Sequence, residues 1–349
     1  MARERSTPEF AECTEKESWL CFSSATSAIS AVNLSPMRSR HLLPNFRIAI
    51  VGAGAIGLYY GGKLAHFGRD VHFLLRTDYE AVRKRGLRIL SKTENIHIAR
   101  VNTARSTEEI GPCDLVIVAV KTTSNADLPP LIAPLLGKQT MILTLQNGLG
   151  NEEFLAQNFG AERILGGICF ICLKRTEPGV IERFDAGRLT IGEFHGHPSP
   201  RLHDIAWEFK RCGIVCRLTA NLALERWRKL VWNIPFNGLS VVAGVDTAAI
   251  LADEGLSQLA LELMGETIAI ANACGHNLPT AIALEQIKQT RTMGDFKPST
   301  LIDYLAGRPL EIEPIWGEPL RRGQAKGIEA PQLAKLYGEL TALDRAGRK

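Results

Sequence analysis

Apolar positions in the first half of the chain fall in short, nearly unbroken runs. These are Arg47 to Val51 (RIAIV), Val71 to Leu75 (VHFLL), Asp114 to Val120 (DLVIVAV) and Thr140 to Leu145 (TMILTL). Such runs, separated by stretches of helical spacing, predict parallel strands buried on both faces by helices. Behind the first run, Ile56, Tyr59, Tyr60 and Leu64 recur at helical spacing. Tyr79 to Lys84 reads as a short helix, and Leu87 to Leu90 with Ile96 to Val101 as two accessory strands. Asn125 to Leu136 reads as a helix in spite of Pro129, Pro130 and Pro134. Ile164 to Leu173 and Val180 to Gly192 form the last sheet-like portion.

Near Leu218 to Leu222 the pattern becomes helical. In LERWRKLVWNIPFNGLSVVAG, the residues Lys229, Asn233 and Asn237 follow one another at steps of four. A helix turns about 100° per residue, so each step drifts by only about 40° and the three polar ends form one stripe. Trp227, Leu230, Val231 and Ile234 bury the other faces, and Pro235 is expected to bend the helix. The fold class that follows is α/β: an N-terminal doubly wound sheet, then an all-helical C-terminal domain. The expected boundaries are an N-terminal extension over 1–45, a nucleotide-binding domain over 46–218 and a helical domain over 219–349, with the site in the cleft between the last two.

A length of 349 residues suits two such cores. Lys and Arg number 41 against 37 Asp and Glu, and the basic residues are dispersed. That balance argues against nucleic acid or a membrane surface as partner. No apolar stretch reaches the roughly 18 residues of a spanning helix. The first 45 residues, Ser- and Ala-rich in part and acidic near their start, have the wrong charge for a secretory or mitochondrial leader, and read as a poorly ordered extension. Met37 would itself make a sensible start before the first strand. Eight scattered cysteines suggest free thiols in a reducing, cytoplasmic setting. The close pairs Cys169/Cys172 and Cys212/Cys216 raise the alternative of zinc, but residues three apart on a buried strand point to opposite faces, so no metal is expected.

The candidate chemistry begins at Gly52, Gly54 and Gly57, a G-x-G-x-x-G between a strand and a helix. Gly52 permits the tight turn, Gly54 the close approach of a pyrophosphate, and Gly57 the packing of helix on strand. The end of the second strand, where an acid would accept a bond from the ribose 2′-hydroxyl, carries Arg76 instead. A cation there pairs with a 2′-phosphate, which favours NADP(H); a solvated surface arginine is the bland alternative. Asp78 is the only nearby acid that could serve NAD(H). Lys121 and Asn147 stand just past strand ends, where ligands bind in this architecture, although Asn147 also begins an ordinary Asn-Gly turn. Lys229, among apolar neighbours and two amides, could give up a proton near neutral pH; the competing reading is a solvated helix face.

From about residue 47 to 345 the chain resembles the ketopantoate reductases. The resemblance rests on GAGAIG at 52–57, Lys121, QNG at 146–148, ERWRKLVWN at 225–233 with Asn237 beyond it, and KPSTLIDYLAGRPLEIEPIWG at 297–317. It implies NADPH-dependent reduction of 2-dehydropantoate to pantoate, a step of pantothenate and coenzyme A synthesis. Lys229 would be the general acid, and Glu311 would position it and the nicotinamide ribose. Gly52, Ala53, Gly54, Ala55, Ile56 and Gly57 would hold the cofactor, with Arg76 and Lys121 at its 2′-phosphate. Asn147 would lie near nicotinamide and substrate, and Cys172 near a backbone contact to the cofactor. Asn233, Asn237 and Ser299 would bind the substrate. A further substrate asparagine of some members falls here near Thr247 or Asp246, which leaves open another 2-keto acid, an imine, or a non-catalytic NADP-sensing role. A homodimer is also left open, since one sequence does not separate an exposed dimer helix from a core helix.

Overall fold

A computed structural model describes residues 46–347. The extension expected over 1–45 lies outside the described residues. Among the described residues twelve strands form two sheets: β1 (Arg47–Val51), β2 (Asp70–Leu74), β3 (Leu87–Ser91), β4 (Asn95–Ile98), β5 (Asn102–Ala104), β6 (Cys113–Val118), β7 (Leu136–Thr144), β8 (Ile164–Phe170), β9 (Leu173–Glu177), β10 (Val180–Arg183), β11 (Arg188–Glu193) and β12 (Cys216–Leu218). The first half also carries α1 (Ala55–His66), α2 (Tyr79–Arg85), α3 (Thr107–Ile110), α4 (Leu128–Ile132), α5 (Asn151–Phe159) and α6 (Pro200–Arg211).

The main sheet has the order β12-β11-β8-β7-β6-β1-β2-β5. From β5 to β8 every neighbouring pair is parallel, so all these strands end at one edge. The chain winds outward from β1 through β2 and β5, then returns past β1 to β6. That reversal opens the crevice in which doubly wound sheets bind ligands. Alternate residues of β1 enter different cores: Ile48 and Ile50 on one face, Ala49 and Val51 on the other. Coverage of both faces is what the unbroken apolar runs require. Only β8 with β11 is antiparallel within this sheet.

The accessory strands prove to be half of a separate four-stranded sheet, β4-β3-β10-β9. Its centre is a parallel pairing of β3 with β10. The last sheet-like portion is therefore divided: β8 and β11 join the large sheet, β9 and β10 the small one. The run Ile164 to Leu173 is accordingly not one strand, for it breaks at Ile171 and Cys172. The single helix expected over Asn125 to Leu136 is also corrected. A 3₁₀ turn at Thr122–Asp127, the short α4 and a second 3₁₀ turn at Ala133–Leu135 replace it. Prolines lack the N–H that a continuous ladder would need, so the segment divides around them.

The second half is helical: α7 (Leu222–Ala243), α8 (Thr247–Ala252), α9 (Glu254–Ala273), α10 (Ala281–Arg291), α11 (Ser299–Leu305), a π-turn at Glu313–Gly317, α12 (Glu318–Ala325) and α13 (Pro331–Ala346). Helix α7 runs unbroken through Pro235, starts at an Asn221 cap that accepts from Leu224 N–H at 2.9 Å, and stops at Gly244 in the left-handed region. Trp227, Leu230, Val231 and Ile234 are fully buried and form the core with α9 and α13. Burial of each such side chain is worth about 1.5–3 kcal/mol, which fixes the rotation of α7 and hence the direction of its polar stripe.

Candidate active site

The carboxyl edge of the parallel strands gathers the residues singled out in the sequence. The glycine turn follows β1, Arg76 follows β2, Lys121 follows β6 and Asn147 follows β7. Gly52, at φ 111°, lies against the end of β6: a Cβ added there would be 2.3 Å from the backbone N of Val120. A Cβ on Gly57 would be 2.0 Å from the carbonyl oxygen of Gly52, whereas one on Gly54 would meet nothing within 4 Å. The turn thus has two glycines demanded by the fold and one whose exposed backbone faces open space. That is the cradle a pyrophosphate needs at the N-terminus of α1. Ala53, Ala55 and Ile56 complete the turn and are half-buried.

Arg76 is exposed and forms no ion pair among the described residues. Asp78 is buried, and its carboxylate accepts from Arg175 Nη1 at 2.9 Å, Gly179 N–H at 3.1 Å and Thr77 Oγ1 at 3.1 Å. The nearest acid is therefore committed to tying the β9–β10 turn to the loop behind β2. It is not free to accept a bond from a ribose hydroxyl.

Lys229 lies half-buried on α7. Its ammonium donates to Asn147 Oδ1 at 2.7 Å and to the Cys169 carbonyl at 2.9 Å, and lies 5.8 Å from the centre of the Phe170 ring. The helical stripe is thereby joined to the ends of β7 and β8. Burial lowers this ammonium from its ordinary 10.5 to about 8; Cys169 opposes the shift, Arg226 adds to it and Glu311 opposes it. Glu311 accepts from the Thr122 backbone N–H at 2.9 Å, and burial raises its carboxyl above the ordinary range. No ion pair joins Glu311 to Lys229 among the described residues, so its influence on the lysine acts at longer range.

Asn233 and Asn237 are buried one and two turns beyond Lys229, and neither amide has a hydrogen-bond partner among the described residues. Neither amide has polar atoms buried out of reach of solvent, so both ends stay open to a polar ligand at this edge. Ser299 is exposed at the first residue of α11, which packs on α7.

Lys121 is drawn toward the helical part, pairing with Asp303 Oδ2 at 2.6 Å and the Pro309 carbonyl at 3.0 Å. The Cys172 N–H donates to Asp185 Oδ1 at 2.9 Å and its carbonyl accepts from Phe184 N–H. Thr247 donates to the Gly294 and Phe296 carbonyls, and Asp246 caps α8. Among the described residues the six cysteines are free and no group of three or more His, Cys, Asp or Glu side chains gathers to hold a metal. No helix among them is long and apolar enough to cross a membrane.

Two residues beneath the site were not singled out by the sequence reading. Arg226 is buried against Glu152, and also donates to the carbonyl of Gln146, next to Asn147. A signal for Arg226 did exist, since it continues the step of four that links the buried residues Leu222 and Leu230.

A Rossmann-type sheet whose ligand edge faces a lysine-bearing helix defines the chain as an oxidoreductase of the two-part dinucleotide-binding class. The family model for ketopantoate reductase PanE/ApbA matches residues 48–196, and that for its C-terminal part matches residues 221–344. A 2-dehydropantoate 2-reductase of Nostoc sp. is 41% identical over 307 residues, covering 86% of this chain and 96% of the relative. The crystal structure of 2-dehydropantoate 2-reductase from Geobacter metallireducens GS-15 is similar with a TM-score of 0.83 at 46% identity, covering 85% of this chain and 99% of that one. The ternary structure of D-mandelate dehydrogenase with NADH and anilino(oxo)acetate shares the fold, with a TM-score of 0.81 at 21% identity, over 86% of this chain and 99% of that one. The chain belongs to the ketopantoate reductase family.

Proposed function

We propose that the protein reduces 2-dehydropantoate to pantoate with NADPH, in the cytoplasm, as a step of pantothenate synthesis. The observation that carries the reading is the bond from Lys229 to Asn147, which sets a proton donor of lowered pKa at the ligand edge of the sheet.

The residues present suit the cofactor. The open space at Gly54 accommodates a pyrophosphate, and the turn from Gly52 through Ala53, Ala55 and Ile56 to Gly57 surrounds it. Arg76, exposed and unpaired among the described residues, suits a 2′-phosphate, while the commitment of Asp78 removes the acid that NADH would need. Lys121 would join Arg76 there by exchanging Asp303 for phosphate. Glu311, Asn147 and the Cys172 segment complete the cofactor's surroundings, although both backbone polar groups of Cys172 already have partners.

When bound, NADPH would supply hydride to the keto carbon. As negative charge grows on the keto oxygen, the Lys229 ammonium stabilises it and then gives up its proton. Asn147 directs that ammonium by accepting one of its hydrogens, so the donor points before substrate arrives. Asn233 and Asn237 offer amides without partners, and Ser299 a hydroxyl, to the carboxylate and hydroxyl of the substrate.

The test is oxidation of NADPH by the purified protein with 2-dehydropantoate, beside other 2-keto acids, amino acid and keto acid mixtures, and NADH. Selective turnover of 2-dehydropantoate with NADPH is the expected result. Turnover of a different keto acid or of an imine would retain the chemistry and displace the substrate. Binding of NADPH without turnover would overturn the enzyme reading in favour of a sensing module.

A further inference from the structure

A buried polar network lies beneath the proposed proton donor. Arg226 is 4% exposed and stands three residues before Lys229 on α7. Its Nη1 donates to the Gln146 carbonyl at 2.6 Å, while Nε, at 2.9 Å, and Nη2 both donate to Glu152 Oε1. Glu152 is equally buried, in the first turn of α5. The backbone has made room for it: a Cβ on Gly166 of β8 would be 2.4 Å from that carboxylate oxygen.

The same network holds the other side of Asn147. Asn151 Nδ2 donates to the Asn147 carbonyl at 2.9 Å, and Asn151 Oδ1 accepts from Asn125 Nδ2 at 3.0 Å. Asn125 Oδ1 in turn accepts from Gln146 Nε2 at 2.7 Å. Both carbonyls that flank the Asn147 Cα are thus restrained, one by Arg226 and one by Asn151. With its backbone held, the Asn147 side chain keeps its oxygen toward Lys229.

Stability alone does not account for the ion pair. Desolvating two ions costs about as much as their attraction returns, and apolar replacements of buried pairs are often neutral or stabilising. What a guanidinium fixed by a carboxylate does supply is direction, because its planar fork donates along set lines. Arg226 uses two lines on Glu152 and one on the Gln146 carbonyl.

We propose that Arg226, anchored by Glu152, is a positioning residue for the reaction, fixing the Gln146–Asn147 peptide so that Asn147 aims the Lys229 ammonium. The inference rests on Lys229 as the acid and adds the element that directs it. Arg226 touches neither substrate nor cofactor in this role. Its positioning effect runs through Asn147, beside the direct contribution of its charge to lowering the Lys229 ammonium, and dependence on Asn147 makes the role separable from general support of the fold.

The experiment replaces the pair together, Arg226→Met with Glu152→Met, so that no charge is left buried without its partner. Turnover, NADPH dissociation constant and melting temperature are compared with and without Asn147→Ala, alongside amide hydrogen exchange at Gln146 and Leu149. The paired variant should melt near the parent and bind NADPH equally well, with turnover lower by roughly ten- to a hundredfold, the scale of a misplaced catalytic group. In the Asn147→Ala background the same replacement should cost almost nothing, since its target is gone. Exchange at Gln146 and Leu149 should accelerate in the paired variant. Equal losses in both backgrounds, or unchanged exchange, would overturn the inference. If the paired variant does not fold, Arg226→Lys decides by the same readouts: it keeps the charge and loses the fork, so turnover should fall while melting holds. Absence of turnover in the parent would instead defeat the proposed function, and exchange would then decide only whether Arg226 restrains the Gln146–Asn147 peptide.

Discussion

Lys229 Nζ lies 2.7 Å from Asn147 Oδ1, although 82 residues separate the two. The lysine comes from a helix rotated into place by Trp227, Leu230 and Ile234, and the asparagine from the end of a strand buried in the sheet. Each partner is thus placed by a different core, and their meeting joins the two halves of the chain at the ligand edge. The bond spares the ammonium part of its desolvation cost and leaves other hydrogens for a ligand.

Replacing the lysine tests this arrangement most directly. Lys229→Ala should lower turnover with NADPH by two or more orders of magnitude, the contribution typical of a general acid. NADPH binding should change little, because the glycine turn and Arg76 belong to other elements. Steady-state turnover with fluorescence titration of NADPH separates the two quantities. Near-parental turnover would remove Lys229 from the mechanism.

The lowered pKa of Lys229 gives a signed pH dependence. In the proposed mechanism reduction requires the protonated amine, so turnover should decline as pH rises through about 8. Stability should show the complementary sign. With a folded value of about 8 against an ordinary 10.5, the lysine's burial penalty is fully present below about 8 and fades toward 10.5. Lys229→Met should therefore melt higher than the parent at neutral pH, and this advantage should shrink at alkaline pH. An advantage unchanged by pH would assign the gain to packing instead of charge.

The glycine turn, the parallel runs and the polar stripe of α7 were legible because each is written in local spacing. What sequence could not supply was pairing between distant segments. The small sheet depends on β10 meeting β3, with Val180 opposite Arg88, and no periodicity marks that partnership. Arg226 stood in an apolar stripe, yet a long cation on a helix ordinarily reads as solvated until its carboxylate is seen beside it. The helix expected over Asn125 to Leu136 failed for a local reason: apolar spacing does not replace the N–H groups that its three prolines lack, and the segment divides.

The proposed preference for NADPH rests on Arg76. Arg76→Ala should raise the Michaelis constant for NADPH by roughly ten- to a hundredfold, the worth of a charge-assisted bond to phosphate. NADH should be little affected, because it lacks the group that Arg76 would meet. Kinetics with both cofactors provide the measurement. Equal losses would show that Arg76 supports the loop and reads no phosphate.

Gly54 and Gly57 separate folding from binding within one short motif. At Gly57 a Cβ would be 2.0 Å from the Gly52 carbonyl, so Gly57→Ala must push α1 away from the turn or reshape it. That variant should melt well below the parent, with the 1–3 kcal/mol loss usual for overpacking. At Gly54 the same methyl meets nothing within 4 Å and the residue is exposed, so Gly54→Ala should melt with the parent. The space it fills is where a pyrophosphate would approach, so NADPH binding should weaken by about tenfold or more, as expected when a methyl obstructs a close backbone contact. Melting curves without nucleotide, followed by titration with NADPH, distinguish the two effects. Unaltered NADPH binding by Gly54→Ala would mean that the open space at this turn is not where the cofactor lies.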